Sequence, residues 1–269
     1  MNKSPIEWCD RTWNAVTGCL HGCDYCYARA IVRRFGKNEH GALTKLPPHI
    51  KEQAGCFELL KRCGNPYPFG FLPTLHHYRL DEPAKIKKPK NIFVGSMADV
   101  FGSWVSSEWI AEVIKSCKAA YWHRYLFLTK NPSRYREFFK SPLDYRSYMW
   151  FGATATDTGS FVHMSEELLC HHTNSGSKTF LSIEPILGEI DPLALKRVKY
   201  HHWLIVGAET GRRPGVVPER EWIANIVDAC RAAGVPVFLK NNLRSCLFDA
   251  DHLSDAALIQ EFPWDEGAI

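Results

Sequence analysis

No run of about 18 or more uncharged apolar residues occurs in this chain, so a membrane-spanning helix is not expected. The start, MNKSPIEWCD, has neither the charged region nor the apolar stretch of an export signal, which predicts a cytoplasmic protein. Repeats of fixed period and low-complexity tracts are also missing, excluding solenoid and fibrous architectures. A zinc ribbon pairs two distant CxxC knuckles, and no such pair exists here. Ten cysteines in a short secreted chain would suggest a disulfide scaffold. These ten sit among 269 residues that are 45% hydrophobic and 13% aromatic, enough for a real core, so a reducing compartment is the expected setting.

What is present is an alternation. Short apolar runs recur at Asn91–Gly95, Arg124–Thr129, Met149–Ala153, Thr179–Ile183, Trp203–Gly207 and Pro236–Lys240 and read as buried parallel strands. Helical patterns lie between them, for instance Ser107–Ala120 behind a serine cap and Glu219–Ala233 ending at Gly234. Glu7–Thr17 would add a seventh strand. The expectation is a single α/β domain over 1–269 built on a parallel sheet covered by helices, either open and doubly wound or a barrel. Residues 36–90, rich in proline, interrupt the rhythm and predict an irregular insertion. Charge is uneven too: residues 29–90 carry 13 Lys and Arg against 5 Asp and Glu, and the remaining chain is net −4. That local excess makes nucleic acid a candidate partner, beside the plainer reading of a lysine-rich surface loop.

The densest chemistry lies in Thr17-Gly18-Cys19-Leu20-His21-Gly22-Cys23-Asp24-Tyr25-Cys26-Tyr27, a CxxxCxxC loop between a strand and a helix. Gly18 and Gly22 supply a backbone permissive enough to curl three thiolates toward one centre. Three cysteines suit a [4Fe–4S] cubane that keeps one iron without a protein ligand. The alternative is a structural Cys3His zinc site with His21 as fourth ligand, in a nucleic-acid-binding protein. Against zinc, His21 is only two residues from Cys19 and from Cys23, which crowds a tetrahedron.

This loop, with an aromatic residue before its last cysteine and repeated βα units, resembles the radical-SAM superfamily. The stretches IEWCDRTWNAVTGC, GNPYPFGFLPTLHHYRLDEP, IFVGSMADVF, FLTKNPSRY, LSIEPILG, WLIVGAETG and VPVFLKN are similar to a phage and bacterial family of radical-SAM-like proteins, some encoded near a three-cysteine-motif partner protein. The resemblance implies a partial or nearly closed parallel (β/α) barrel of six or seven strands. It further implies a [4Fe–4S] cluster on Cys19, Cys23 and Cys26, and S-adenosylmethionine on the open iron. A flavodoxin- or ferredoxin-type reductant would supply the electron, and the product is a radical that takes hydrogen from a substrate. Tyr25 would pack near the adenine. In one departure, the strand at Asn91 ends in Gly95-Ser96-Met97, where many radical-SAM enzymes have Gly-Gly-Glu.

Active sites of parallel barrels lie at the carboxyl ends of the strands. Polar residues there are Ser96 and Asp99, Thr129 and Lys130, Thr154 and Thr156, Ser182 and Glu184, Glu209 and Thr210, Lys240 and Asn241. The resemblance suggests Ser96, Asp99, Ser182 and Glu184 for the amino acid or ribose part of the cofactor, with Thr154 and Glu209 as further cofactor-binding candidates. Lys130 and Lys240 end apolar runs and are the catalytic candidates, able to bind an anion or move a proton. Arg212 and Arg213 suit an anionic substrate. The pairs His76-His77, His171-His172 and His201-His202 read as surface or rim residues. Cys56 and Cys63 are weak candidates for a second cluster, and Cys170 lacks ligand spacing.

Overall fold

The computed structural model describes residues 1–35, 50–53, 55–140, 147–210, 215–248 and 257–265. They form two compact units, Met1–Asn131 and Pro132–Ile269. The architecture is α/β, with a main sheet that is mostly parallel.

In the first unit, β1 (Asn2–Lys3), β2 (Arg11–Trp13), β3 (Val16–Thr17) and helix α1 (Tyr27–Phe35) precede β4 (Ile50–Gln53), β5 (Cys56–Leu59) and β6 (Thr74–His76). Then come β7 (Asn91–Val94), α2 (Ser107–Ala119) and β8 (Arg124–Thr129). The main sheet here runs β1-β2-β7-β8. Strand β1 is antiparallel to β2, whereas β2, β7 and β8 are parallel, with Thr12 opposite Phe93 and Phe93 opposite Leu126. Burial of Trp13, Ile92, Val94, Tyr125 and Phe127 is what apolar runs of this length are for. Helix α2 starts where Ser106 accepts the Trp109 amide and buries Ile110, Val113 and Cys117, the i, i+3, i+7 stripe of an amphipathic helix.

The described part of 36–90 is less irregular than expected. Within it β4, β5 and β6 join β3 in a second sheet, ordered β3-β6-β5-β4. Strands of three or four residues are too short to show a period, and Phe57 and Leu59 are the buried side of an alternating β5. Phe57 stacks on Phe69 at 3.8 Å between ring centroids.

The second unit contains β9 (Met149–Ala155), α3 (Thr158–Ser175), β10 (Lys178–Ile183), β11 (Leu204–Val206), α4 (Arg220–Ala233) and β12 (Val237–Leu239). All four strands are parallel in the order β9-β10-β11-β12. Helix α3 opens on a capping box between Asp157 and Ser160 and closes on left-handed Gly176. Side chains alternate along β9: Phe151 packs on His171 of α3, with centroids 4.8 Å apart, so Thr154, three residues on, looks to the opposite side. Closure into a barrel is not shown. Strand β2 carries antiparallel β1, and the outer side of β12 is bridged antiparallel by Gln260.

The histidine pairs correct the sequence reading, because the first member of each is buried. Adjacent side chains on a strand or helix diverge, so one of two neighbours turns into the core. His76 bonds Thr17 at 2.8 Å, His201 bonds Ser165 at 2.7 Å, and His171 lies among Tyr135, Phe139 and Phe151. Burial lowers their pKa values from 6.5 to about 3 at His76 and His201 and about 4 at His171.

Candidate active site

The cysteine loop leaves the short strand β3 and enters α1. Gly18, at φ 86°, allows the turn, and a Cβ there would lie 2.2 Å from the Leu72 carbonyl oxygen. Nothing larger than glycine fits. The backbone is tied down at that end: Gly18 donates to the Met97 carbonyl at 2.8 Å and Cys19 to the Phe71 carbonyl at 3.1 Å. At the other end, the Arg29 amide in the first turn of α1 points at Cys26 Sγ, 3.4 Å away. The helix itself seats Ala28 and Val32 against Met97.

Asp99 is the hub of the site. Buried behind β7, its Oδ1 accepts the Phe101 amide at 3.0 Å and the Thr129 hydroxyl at 2.7 Å. Its Oδ2 accepts the Lys130 amide at 2.9 Å and meets His21 Nε2 at 2.7 Å. The His21 ring also rests edge-on against Trp104, 4.8 Å between centroids. Lys130 Nζ donates to Tyr25 Oη at 2.8 Å. Ser96 is occupied by Asn14, whose Nδ2 donates to its hydroxyl at 3.0 Å and whose Oδ1 accepts the Met97 amide at 2.9 Å. Tyr27 donates to the Ser96 carbonyl at 2.5 Å. The first unit thus brings together Cys19, Cys23, Cys26, Tyr25, Ser96, Asp99 and Lys130.

Burial raises the Cys19 pKa to about 12, and the negative charge of Asp99, Cys23 and Cys26 adds to the effect. Three neighbouring thiolates therefore repel unless cations join them. The Lys130 ammonium is disfavoured by burial, while Cys23, Asp99, Cys19 and Cys26 pull the other way. Among the described residues no group of three or more His, Cys, Asp or Glu side chains is placed as it would be around a metal ion. A [4Fe–4S] cubane takes three thiolates, each on a different iron. Cys19, Cys23 and Cys26 fit such a cluster as soft donors on a curled loop.

The second unit has its own polar group. Thr154 of β9 is in register with Ser182 of β10. Two residues beyond Ser182, Glu184 pairs with Lys240 just past β12. Gly207 lies below the pair, and a Cβ there would come within 2.9 Å of the Lys240 side chain. Ser182 is fully buried, and its Oγ has no hydrogen-bond partner among the described residues. Other strand-end residues are turned to local work. Glu209 accepts the Gly215 amide at 2.8 Å, and the Thr156 hydroxyl donates to Asp157 of the α3 cap at 3.0 Å. Arg212 and Arg213 lie outside the described residues. Cys56 bonds the Trp104 carbonyl and Cys63 the Asn65 carbonyl. Sequence reasoning missed Asn14 and Asn242. The second grips the Ala208 backbone from both sides, at 3.2 Å and 2.7 Å. Its one sequence signal is its place directly after the strand-end residues Lys240 and Asn241.

A family model described as "Protein of unknown function (DUF5131)" matches residues 3–244. The chain belongs to the DUF5131 family. No curated protein matches it. Among solved structures, this DUF5131 chain is similar to a cysteine-to-alanine variant of spore photoproduct lyase with dinucleoside spore photoproduct. The TM-score is 0.56 at 10% identity, over 88% of this chain and 78% of the other. A tyrosine-to-phenylalanine variant of the lyase gives 0.54 at 9% identity, with the same coverage. At such identity the likeness is one of fold.

Proposed function

We propose that this DUF5131 protein is a radical-SAM enzyme, with a [4Fe–4S] cluster on Cys19, Cys23 and Cys26 and a partial (β/α) barrel as its frame. The observation that carries the reading is the three-cysteine loop, entered through a glycine that admits no side chain and pinned to the end of a parallel strand. When bound, the cluster and S-adenosylmethionine supply one electron and a 5′-deoxyadenosyl radical that removes a hydrogen atom from the substrate. The chain's part is to leave one iron without a side-chain ligand and to hold the rest still. Tyr25, steadied by Lys130, offers an aromatic face for the adenine. Thr154, Ser182 and Glu184 offer hydroxyl and carboxylate groups for the amino acid and ribose portions, and Glu209 after β11 is a further candidate. Lys240, held by Glu184, is the cation for an anionic substrate or for moving a proton.

For the substrate, nucleic acid or a nucleotide is the class we favour. Residues 29–90 hold the excess of cations, and the lyase of similar fold was solved with a dinucleoside. A flavodoxin- or ferredoxin-type reductant completes the reading, and a three-cysteine-motif protein is a proposed partner. No helix among the described residues is long and apolar enough to cross a membrane.

The test is anaerobic reconstitution followed by chromatography under dithionite. Brown protein with about four irons per chain that forms 5′-deoxyadenosine supports the enzyme. Colourless protein with one zinc supports a structural Cys3His loop instead. Retardation of DNA and RNA across a salt series tests the substrate class, since phosphate contacts weaken steeply with salt.

A further inference from the structure

Every acceptor position of the Asp99 carboxylate is taken. An ionised carboxylate offers about four lone-pair sites, and four donors reach Asp99: the Phe101 amide, the Thr129 hydroxyl, the Lys130 amide and His21. Three of these belong to the frame formed by β7, β8 and the turns after them. The fourth belongs to the cysteine loop, at its midpoint between Cys19 and Cys23. A second tie from the same strand end reaches the loop four residues later, where Lys130 Nζ holds Tyr25 Oη at 2.8 Å. Trp104 closes the far side of the His21 ring.

We propose that Asp99 and His21 form a clamp that presets the curvature of the cysteine loop, so that His21 is a positioning residue and not a metal ligand. The proposal rests on the iron–sulfur reading above for its purpose, but its geometry belongs to the protein alone. Left-handed Gly22, with nothing within 4 Å of an added Cβ, gives the loop no steric support of its own. Without the clamp, the segment between Cys19 and Cys23 would lose the tie that His21 makes to the frame. Asp99, filled by protein donors, has no acceptor site left for a cofactor ammonium or ribose hydroxyl, so its role differs from that of Thr154, Ser182 or Glu184.

The test uses full-length His21→Ala and His21→Gln, because a glutamine amide can place a donor near the Nε2 position. Asp99 variants are avoided, since they would strip three frame contacts as well. In cluster-free protein, alkylation of each cysteine is followed by mass spectrometry. His21→Ala is expected to raise the labelling rate of Cys19 about tenfold, with Cys117 and Cys230 still protected and His21→Gln close to the parent. After anaerobic reconstitution, His21→Ala is expected to bind less iron and to give an altered EPR spectrum on reduction, and His21→Gln to restore both. Unchanged Cys19 labelling in His21→Ala overturns the clamp. Equal iron loss in the two variants overturns the positioning role and makes His21 a ligand. If the parent protein takes up no iron at all, the iron–sulfur reading fails, while the labelling result still decides the clamp.

Discussion

At the residue scale, the ten cysteines divide by environment. None of the ten is in a disulfide, and Cys117 and Cys230 are buried among apolar side chains with their pKa values pushed up by burial, which marks them as small core hydrophobes. Alanine at Cys19, Cys23 or Cys26 should abolish iron binding, whereas alanine at Cys117 or Cys230 should keep the iron and cost ~1 kcal/mol of stability. Iron assay beside denaturant unfolding separates the two groups. The buried histidines make a different forecast. His76, His171, His201 and His202 all have pKa values depressed mainly by burial, to about 3 or 4 from 6.5. A neutral buried ring stabilises the fold fully above the unfolded value of about 6.5, and that contribution is lost as pH falls toward the folded value. Unfolding midpoints should therefore drop steadily between about pH 6.5 and pH 4; a flat midpoint over that range would contradict neutral burial. The place of the cysteine loop between a strand and a helix was legible from the sequence, but the Asp99–His21 and Asn14–Ser96 contacts were not. They join positions 78 and 82 residues apart, and nothing local distinguishes those side chains from any strand-end aspartate or loop asparagine.

At the scale of elements, legibility followed apolar character, for β11 and β12 have only three residues each, all buried. The runs at Asn91, Arg124, Met149, Thr179, Trp203 and Pro236 all became strands, and both proposed helices formed within a residue of their expected bounds. The strand expected over Glu7–Thr17 is two short strands in different sheets, β2 and β3, and β4, β5 and β6 escaped notice because they lack the continuous apolar runs of the main sheet. The position that matters most in this region is Gly18, where positive φ coincides with a Cβ position inside the Leu72 carbonyl. Gly18→Ala should destabilise the first unit by about 2 kcal/mol or more and cut iron incorporation with it. Ser106→Ala is the matched control: loss of the α2 cap costs ~1 kcal/mol and should leave iron content unchanged. If both variants bound iron like the parent, the loop's dependence on its glycine entry would be refuted.

Over the whole molecule, both units end parallel strands in polar side chains, as α/β sites require. The Glu184–Lys240 pair is largely buried, with side chains 22% and 12% exposed. Lys240→Met should cost about 3 kcal/mol, because it leaves a carboxylate without its cation, and adding Glu184→Gln should recover part of that loss. Chemical denaturation of the single and double variants reads the difference, and strictly additive losses would argue against the pair. Alternation of strands and helices made the α/β class legible from sequence. It could not show whether the sheet closes, because closure depends on strand tilt and edge pairing, which no local pattern encodes.

The central claim is an iron left open for S-adenosylmethionine, and EPR of the anaerobically reconstituted, dithionite-reduced protein tests it most directly. A spectrum of a single-electron [4Fe–4S] cluster whose g-values shift when S-adenosylmethionine is added is the predicted result. A cluster signal that S-adenosylmethionine leaves unmoved, or protein that carries zinc and shows no signal, would contradict it.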